Sequence, residues 1–289
     1  MSVNEQRASL GSNDVVTSTQ HDRVPSPHVV RLTEEWPFDT PYYRFLAQAR
    51  QGVLGAFLDA WLVDRKPTTA LDVGCALGWF TRYLHGRGFD VTGLDVRDVS
   101  IEEARRRNPG LRFEVQDAED PSIRRYGPVD FVLCVGLLYH LENPFLAIRN
   151  LAALARKCTY VEGMIVDNPK PLAELCDEGK TESQGARFVA FVPTESCMVK
   201  MFYRAGFKYV YRPPQPREKT FRRSLLHHRR RTVLLASHEP IDLPMLTYLP
   251  EPRHPKPGWD RFPLLSRAGR FARRTIFGAL RIPERTLRG

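Results

Sequence analysis

The run Leu71-Asp72-Val73-Gly74-Cys75-Ala76-Leu77-Gly78-Trp79-Phe80 decides the fold. It reads as an apolar strand ending in Asp-x-Gly, a turn of small residues, and a helix that starts at Trp79. Glycines in such a turn let the backbone bend sharply and approach a ligand that a Cβ would push away. A nicotinamide dinucleotide site uses similar geometry, but in its Gly-x-Gly-x-x-Gly register the third glycine would fall at Trp79. That substitution argues against a dinucleotide. Taken alone, the turn is also compatible with an ordinary strand-to-helix connection.

Outward from this unit the pattern alternates. Strands are expected at 70–73, 90–94 and 111–115, with helices at 79–87 and 100–108, and such alternation implies a parallel sheet covered by helices. Residues 129–135 are almost wholly apolar, as a strand buried on both faces requires, and 144–155 returns to the helical period. A strand at 159–166, a helix at 193–205 and strands at 207–211 and 232–236 complete the pattern. Upstream, 41–63 carries Tyr42, Phe45, Leu46, Ala49, Val53, Phe57, Ala60 and Trp61 near helical spacing, which predicts an amphipathic helix packed on the domain.

Two carboxylates fall in register with the glycine turn. Asp95 ends the second strand about 20 residues after the turn, where a carboxylate accepts hydrogen bonds from ribose hydroxyls. Asp117 ends the third strand in Val115-Gln116-Asp117-Ala118, where it can accept from an adenine amino group while the Ala118 backbone N–H meets a ring nitrogen. An isolated Asp after a strand is more often a cap. Its alignment with Asp72, Gly74, Gly78 and Asp95 favours the ligand reading.

With these residues in hand, the stretch 71–155 resembles the class I S-adenosylmethionine (SAM)-dependent methyltransferases. The resemblance implies a Rossmann-like α/β fold: a seven-stranded sheet with a late antiparallel pair, helices on both faces, an N-terminal helical extension and a basic C-terminal tail. It implies SAM as cofactor, held by Asp72, Gly74, Cys75, Ala76, Gly78, Asp95, Asp117 and Ala118. Ala76 stands where the family usually has a glycine. A narrower similarity lies in Gly136-Leu137-Leu138-Tyr139-His140-Leu141-Glu142-Asn143-Pro144, with Glu162, Pro193 and Gly206-Phe207; it resembles the bacterial tRNA wobble-uridine carboxymethyltransferases and their small-molecule-methylating relatives. That group holds a carboxylated SAM with lysines before the glycine loop. Here no lysine precedes Lys66, and Leu141 stands where that group has a basic residue, so plain methyl transfer is expected.

Methyl transfer from a sulfonium depends mainly on positioning, because the leaving group is a neutral thioether. A hydroxyl acceptor still gains from a base. His140, just past the fourth strand at the carboxyl edge of the sheet, is the candidate base, against the alternative of a structural histidine. Glu162 is the second candidate, orienting His140 or binding acceptor hydroxyls, or else anchoring a loop. Tyr139, Trp36 and Tyr43 are expected to shape the acceptor pocket, with Phe38 beside them, although aromatics at this density also serve ordinary packing. The Asn/Asp-Pro-Pro-Tyr/Phe motif of amino-methylating enzymes is absent, which favours O-methylation.

Composition sets the remaining bounds. The 289 residues, 42% of them hydrophobic, suit one catalytic domain with extensions: a disordered arm at 1–35, a helical cap at 36–66, the catalytic domain at 67–240 and a basic extension at 241–289. No apolar run approaches the roughly 20 residues that cross a bilayer, and the arm lacks the apolar core of a secretory signal. The five scattered cysteines form no CxxC pair, so a cytoplasmic protein without metal is expected. The net charge of +10 is uneven: residues 217–289 hold 17 Lys/Arg against 6 Asp/Glu. That excess is either a solvated face or a surface for RNA or anionic lipid. A helix at 264–281 with alternating apolar and arginine positions would suit peripheral attachment to an anionic membrane or packing on the protein itself. The expectation is O-methylation of a small molecule or saccharide, against an RNA (tRNA) methyltransferase and a non-catalytic SAM-binding regulatory protein.

Overall fold

The computed structural model of the protein describes residues 36–63, 69–181, 183–221 and 228–253. The chain divides into two compact units, 1–249 and 250–289, and only 250–253 of the second are described. The arm at 1–35, Lys66 and the arginine-rich helix expected at 264–281 all lie outside the described residues.

The first unit runs α1 (Pro41–Trp61), β1 (Thr69–Val73), α2 (Trp79–Gly86), β2 (Asp90–Asp95), α3 (Asp98–Arg107), β3 (Arg112–Val115), β4 (Val129–Val135), α4 (Pro144–Leu154) and β5 (Ala155–Val166). It continues through β6 (Ala173–Asp177), β7 (Val189–Pro193), α5 (Glu195–Ala205), β8 (Tyr209–Arg212), β9 (Arg229–Ser237) and β10 (Thr247–Tyr248). The main sheet is ordered β10-β8-β9-β5-β4-β1-β2-β3. β1 to β5 are parallel, and β9 runs antiparallel to both β5 and β8. The strand order therefore reverses at β1, where β4 is added on the side opposite β2, and opens a crevice at the carboxyl ends of the strands, where such sheets bind ligands.

Period-two alternation explains the layers. On β4, Phe131 and Leu133 face one side with Phe57, Leu58, Trp61 and Leu84 of α1 and α2. Val132 and Cys134 face the other with Ile148, Leu151 and Phe202 of α4 and α5. Every one of these strand residues is 0% exposed, so β4 is buried on both faces as its apolar run requires. The ring of Phe57 stacks on Trp61 at 5.7 Å and lies 6.1 Å from Tyr160, which makes α1 part of the core.

Two features depart from the expected seven strands. The two-residue β10 adds an eighth strand to the sheet by pairing with β8. β6 and β7 form a separate antiparallel pair in a stretch, 167–192, whose mixed polarity has no sustained period. β9 also begins at Arg229, earlier than expected, because it pairs with β5 as far as Val166. This places three arginines of the basic C-terminal quarter inside the domain: Arg229 faces Glu174 at 2.9 Å, Arg230 faces Asp167 at 3.3 Å, and Arg231 faces Glu162 at 3.0 Å. No helix among the described residues is long and apolar enough to cross a membrane.

Candidate active site

The glycine turn is fastened to the end of β2. The amides of Gly74 and Cys75 donate to the Leu94 carbonyl at 2.7 and 3.0 Å, and the amide of Ala76 donates to Asp95 Oδ2 at 3.0 Å. Gly74 (φ +80°) and Gly78 (φ +82°) adopt the left-handed conformation that favours glycine. A Cβ at Gly78 would lie 2.7 Å from the Phe113 ring, so that position is closed to side chains. Ala76 shares the left-handed region at φ +46°. Asp95 also accepts from the Arg97 amide at 3.0 Å. Burial raises its carboxyl above the ordinary carboxylate range, and the bonds from Arg97 and Ala76 oppose that rise.

Asp72 takes a different place from the one expected. Its carboxylate is 2% exposed and turns away from the cavity to accept from Thr81 Oγ1 at 2.7 Å, so it fixes the start of α2 behind the turn. Burial pushes its carboxyl up to about 7. Asp117 does reach the cavity wall, where Oδ1 accepts from the Glu119 amide at 2.8 Å and Oδ2 from Arg187 Nη2 at 2.9 Å. Glu119 lines the same wall, bound to Arg187 Nη1 and to the Asn143 amide. Its carboxyl is raised by burial and held down by Arg187.

His140 lies in a short 3-10 turn, Leu138–His140, after β4. Its Nδ1 sits 2.7 and 2.8 Å from the two carboxylate oxygens of Glu178, which also accepts from the Gly185 amide at 2.6 Å. Glu162 does not orient His140. It is 0% exposed and held between Arg231 Nη1 at 3.0 Å and Arg50 Nη2 at 2.9 Å, while Arg231 Nη2 donates to the Tyr139 hydroxyl at 3.0 Å. A carboxylate so enclosed is a structural counter-charge and presents no free edge to an acceptor.

These groups surround one cavity of about 850 Å³, within the range of small-molecule sites. Gly74, Cys75, Ala76 and Leu77 of the turn line it with Asp95, Asp117 and Ala118, as do Tyr139, His140 and Glu178, whereas Gly78 is off the wall and packs against Phe113 and Asn108. Tyr43 and Phe38 stand on its wall with rings 5.6 Å apart. Trp36 does not line it, being 8% exposed at the base of the turn before α1. Among the described residues no group of three or more His, Cys, Asp or Glu is arranged to hold a metal.

Glu178, Arg50 and Arg187 carry no sequence signal of their own. Glu178 sits in a segment without period, and the arginines are unremarkable until the fold brings carboxylates to them. A SAM molecule fits the donors and acceptors present. The wall combines a turn that opens with Gly74 and two small residues, Cys75 and Ala76, with a buried carboxylate, Asp95, at the ribose position of such folds, and it carries a further carboxylate at Asp117.

Comparison with known proteins agrees. A methyltransferase domain family model matches residues 25–212, well over half of the chain. The ubiquinone biosynthesis O-methyltransferase of Bordetella avium is 32% identical over 90 residues, which are 30% of this chain and 37% of that protein. Its counterpart in Vibrio campbellii is 33% identical over 95 residues, covering 32% of this chain and 40% of that protein. The match thus spans only about two fifths of these relatives' length. Among solved structures, the N-terminal domain of EvdMO1 with SAH bound has a TM-score of 0.56 at 19% identity, covering 68% of this chain and 84% of that one. That likeness supports the fold. The chain belongs to the methyltransferase domain family.

Proposed function

We propose that the protein methylates a hydroxyl oxygen of a small-molecule or saccharide acceptor, with His140 as the base. The observation that carries this reading is His140 on the wall of the cavity that also holds the glycine turn and Asp95, with its Nδ1 secured by Glu178. Glu178 accepting the Nδ1 proton leaves Nε2 of the neutral ring as an acceptor for the hydroxyl proton. SAM supplies an electrophilic methyl group whose leaving group is a neutral thioether. His140 would take the proton of the acceptor hydroxyl as that oxygen is methylated, and Glu178 would stabilise the imidazolium.

The other residues divide along the cavity. The backbone of Gly74, Cys75 and Ala76 would hold the methionine portion of the cofactor, Asp95 would accept from the ribose hydroxyls, and Asp117 with the Ala118 amide would meet the adenine, while Gly78 keeps the turn close against Phe113. Tyr43 and Tyr139 bound the acceptor space. Asp72, Glu162 and Trp36 support these groups from behind. The names of the relatives, O-methyltransferases of ubiquinone biosynthesis, support oxygen as the methylated atom. RNA is a weaker reading, because Arg229, Arg230 and Arg231 are each matched by an internal carboxylate.

The test is incubation of the protein with isotopically labelled SAM and a cell extract, followed by mass spectrometry of the small-molecule and RNA fractions. A labelled methyl ether formed by the wild type and not by His140→Ala is expected. Label confined to RNA or to nitrogen would overturn the proposal.

A further inference from the structure

The connection between β6 and β7 runs along the cavity wall. Its described residues, 178–181 and 183–188, begin at Glu178, the partner of His140, and reach Arg187 nine positions later. Arg187 extends to the carboxylates that follow β3, binding Asp117 at 2.9 Å and Glu119, with Glu142 at 3.7 Å. Between these anchors, Arg97 donates to the Gln184 carbonyl, and the Arg97 amide donates to Asp95.

The connection is internally stiff. The amide of Glu178 donates to the Phe188 carbonyl at 2.8 Å, the amide of Phe188 donates to the Gly185 carbonyl at 3.2 Å, and the amide of Gly185 donates to the Glu178 carboxylate. Arg187, next to Phe188, is therefore tied through the backbone to the residue that holds His140. Gly185 lies against His140 itself: a Cβ there would sit 2.5 Å from the His140 carbonyl and 2.6 Å from Glu178 Oε2. β6 and β7 form a two-stranded sheet, an arrangement with little stability of its own, so its loop depends on anchors to the main domain. Arg187 is such an anchor, and burial of Glu119 gives its ion pair more weight than an exposed pair would have.

We infer that Arg187 is a positioning residue that keeps Glu178 on His140, so that the adenine end of the cavity and the base are coupled through the β6–β7 connection. The inference rests on the reading of His140 as the base. Loss of the Arg187 anchor lets the connection open more often, and each opening releases the His140 ring proton to solvent.

The experiment follows that proton by NMR in the full chain labelled with 15N-histidine, the His140 Nδ1–H signal being assigned by its loss in His140→Gln. Glu178→Ala removes the protected signal. Arg187→Gln speeds its exchange about tenfold, the size expected for a modest coupling between sites. Glu119→Gln, which breaks the buried ion pair without altering the connection, has the same effect and serves if Arg187→Gln does not fold. A purely local role for Arg187 would leave the signal untouched. Wild-type exchange in a folded Arg187→Gln or Glu119→Gln protein, with the signal lost in Glu178→Ala, overturns the coupling and leaves His140 as base intact. Absence of a protected ring proton in the wild type overturns both. Calorimetry with S-adenosylhomocysteine on the wild type separates these outcomes from a failure of the cofactor assignment.

Discussion

The amide of Ala76 donates to the carboxylate of Asp95 at 3.0 Å, so the turn after β1 and the acidic end of β2 form one hydrogen-bonded unit. Ala76 makes this bond from φ +46°, a conformation that costs a residue with a Cβ about 1–2 kcal/mol. Ala76→Gly removes that strain and adds about 0.5–1 kcal/mol of unfolded-state entropy cost. A net stabilisation of roughly 0.5–1 kcal/mol is expected, read as a higher urea midpoint at unchanged slope. A lower midpoint would mean that the alanine methyl makes contacts worth more than the strain.

Asp95→Ala deprives the ribose hydroxyls of their acceptor and leaves the Ala76 amide without a partner. Calorimetry should show S-adenosylhomocysteine binding weakened by about 1–3 kcal/mol. Unchanged affinity in a folded variant would remove Asp95 from the cofactor site.

His140→Ala is expected to lower turnover about 10²–10⁴-fold while S-adenosylhomocysteine affinity stays near that of the wild type, because the ring acts on the acceptor. Glu178→Gln should lower turnover in the same direction, since the amide does not stabilise an imidazolium. Equal activity of wild type and His140→Ala from pH 6 to 9 would reduce His140 to a structural role.

Asp72 makes stability depend on pH in a defined direction. Its carboxyl is raised from 3.8 to about 7 by burial, so the stability linked to its protonated form is complete below about pH 4 and is lost as pH rises through about 7. Asp72→Asn keeps an acceptor for Thr81 and has no charge to desolvate. Relative to wild type, the variant should gain stability between pH 4 and 8, by up to about 4 kcal/mol. Denaturant unfolding at both ends of that range measures it, and a difference that does not change with pH would show that Asp72 titrates normally.

Glu162→Gln leaves Arg50 and Arg231, with side chains 11% and 10% exposed, facing a neutral amide. Breaking a buried ionic group this way costs about 3–5 kcal/mol, which thermal unfolding would show as a large fall in midpoint. A stable Glu162→Gln protein with lowered turnover would instead put the carboxylate into the chemistry.

The sequence by itself determined the strand–turn–helix around Gly74 and Gly78, the parallel direction of the strands that alternate with helices, the burial of β4 on both faces and the places of Asp95 and His140 at the carboxyl ends of their strands. Each of these follows from local information: side-chain period, turn chemistry and the fixed spacing of a β-α-β unit. Tertiary structure alone decided the partners of the charged groups. Glu178 meets His140 across 38 positions, and Arg50 and Arg231 close on Glu162 from opposite ends of the domain. The same packing turned Asp72 toward Thr81 and placed Trp36 off the cavity wall. Pairing of this kind depends on strand register and on where a stretch without period, here 167–192, comes to rest. Those are properties of the assembled sheet, which no single window of sequence contains.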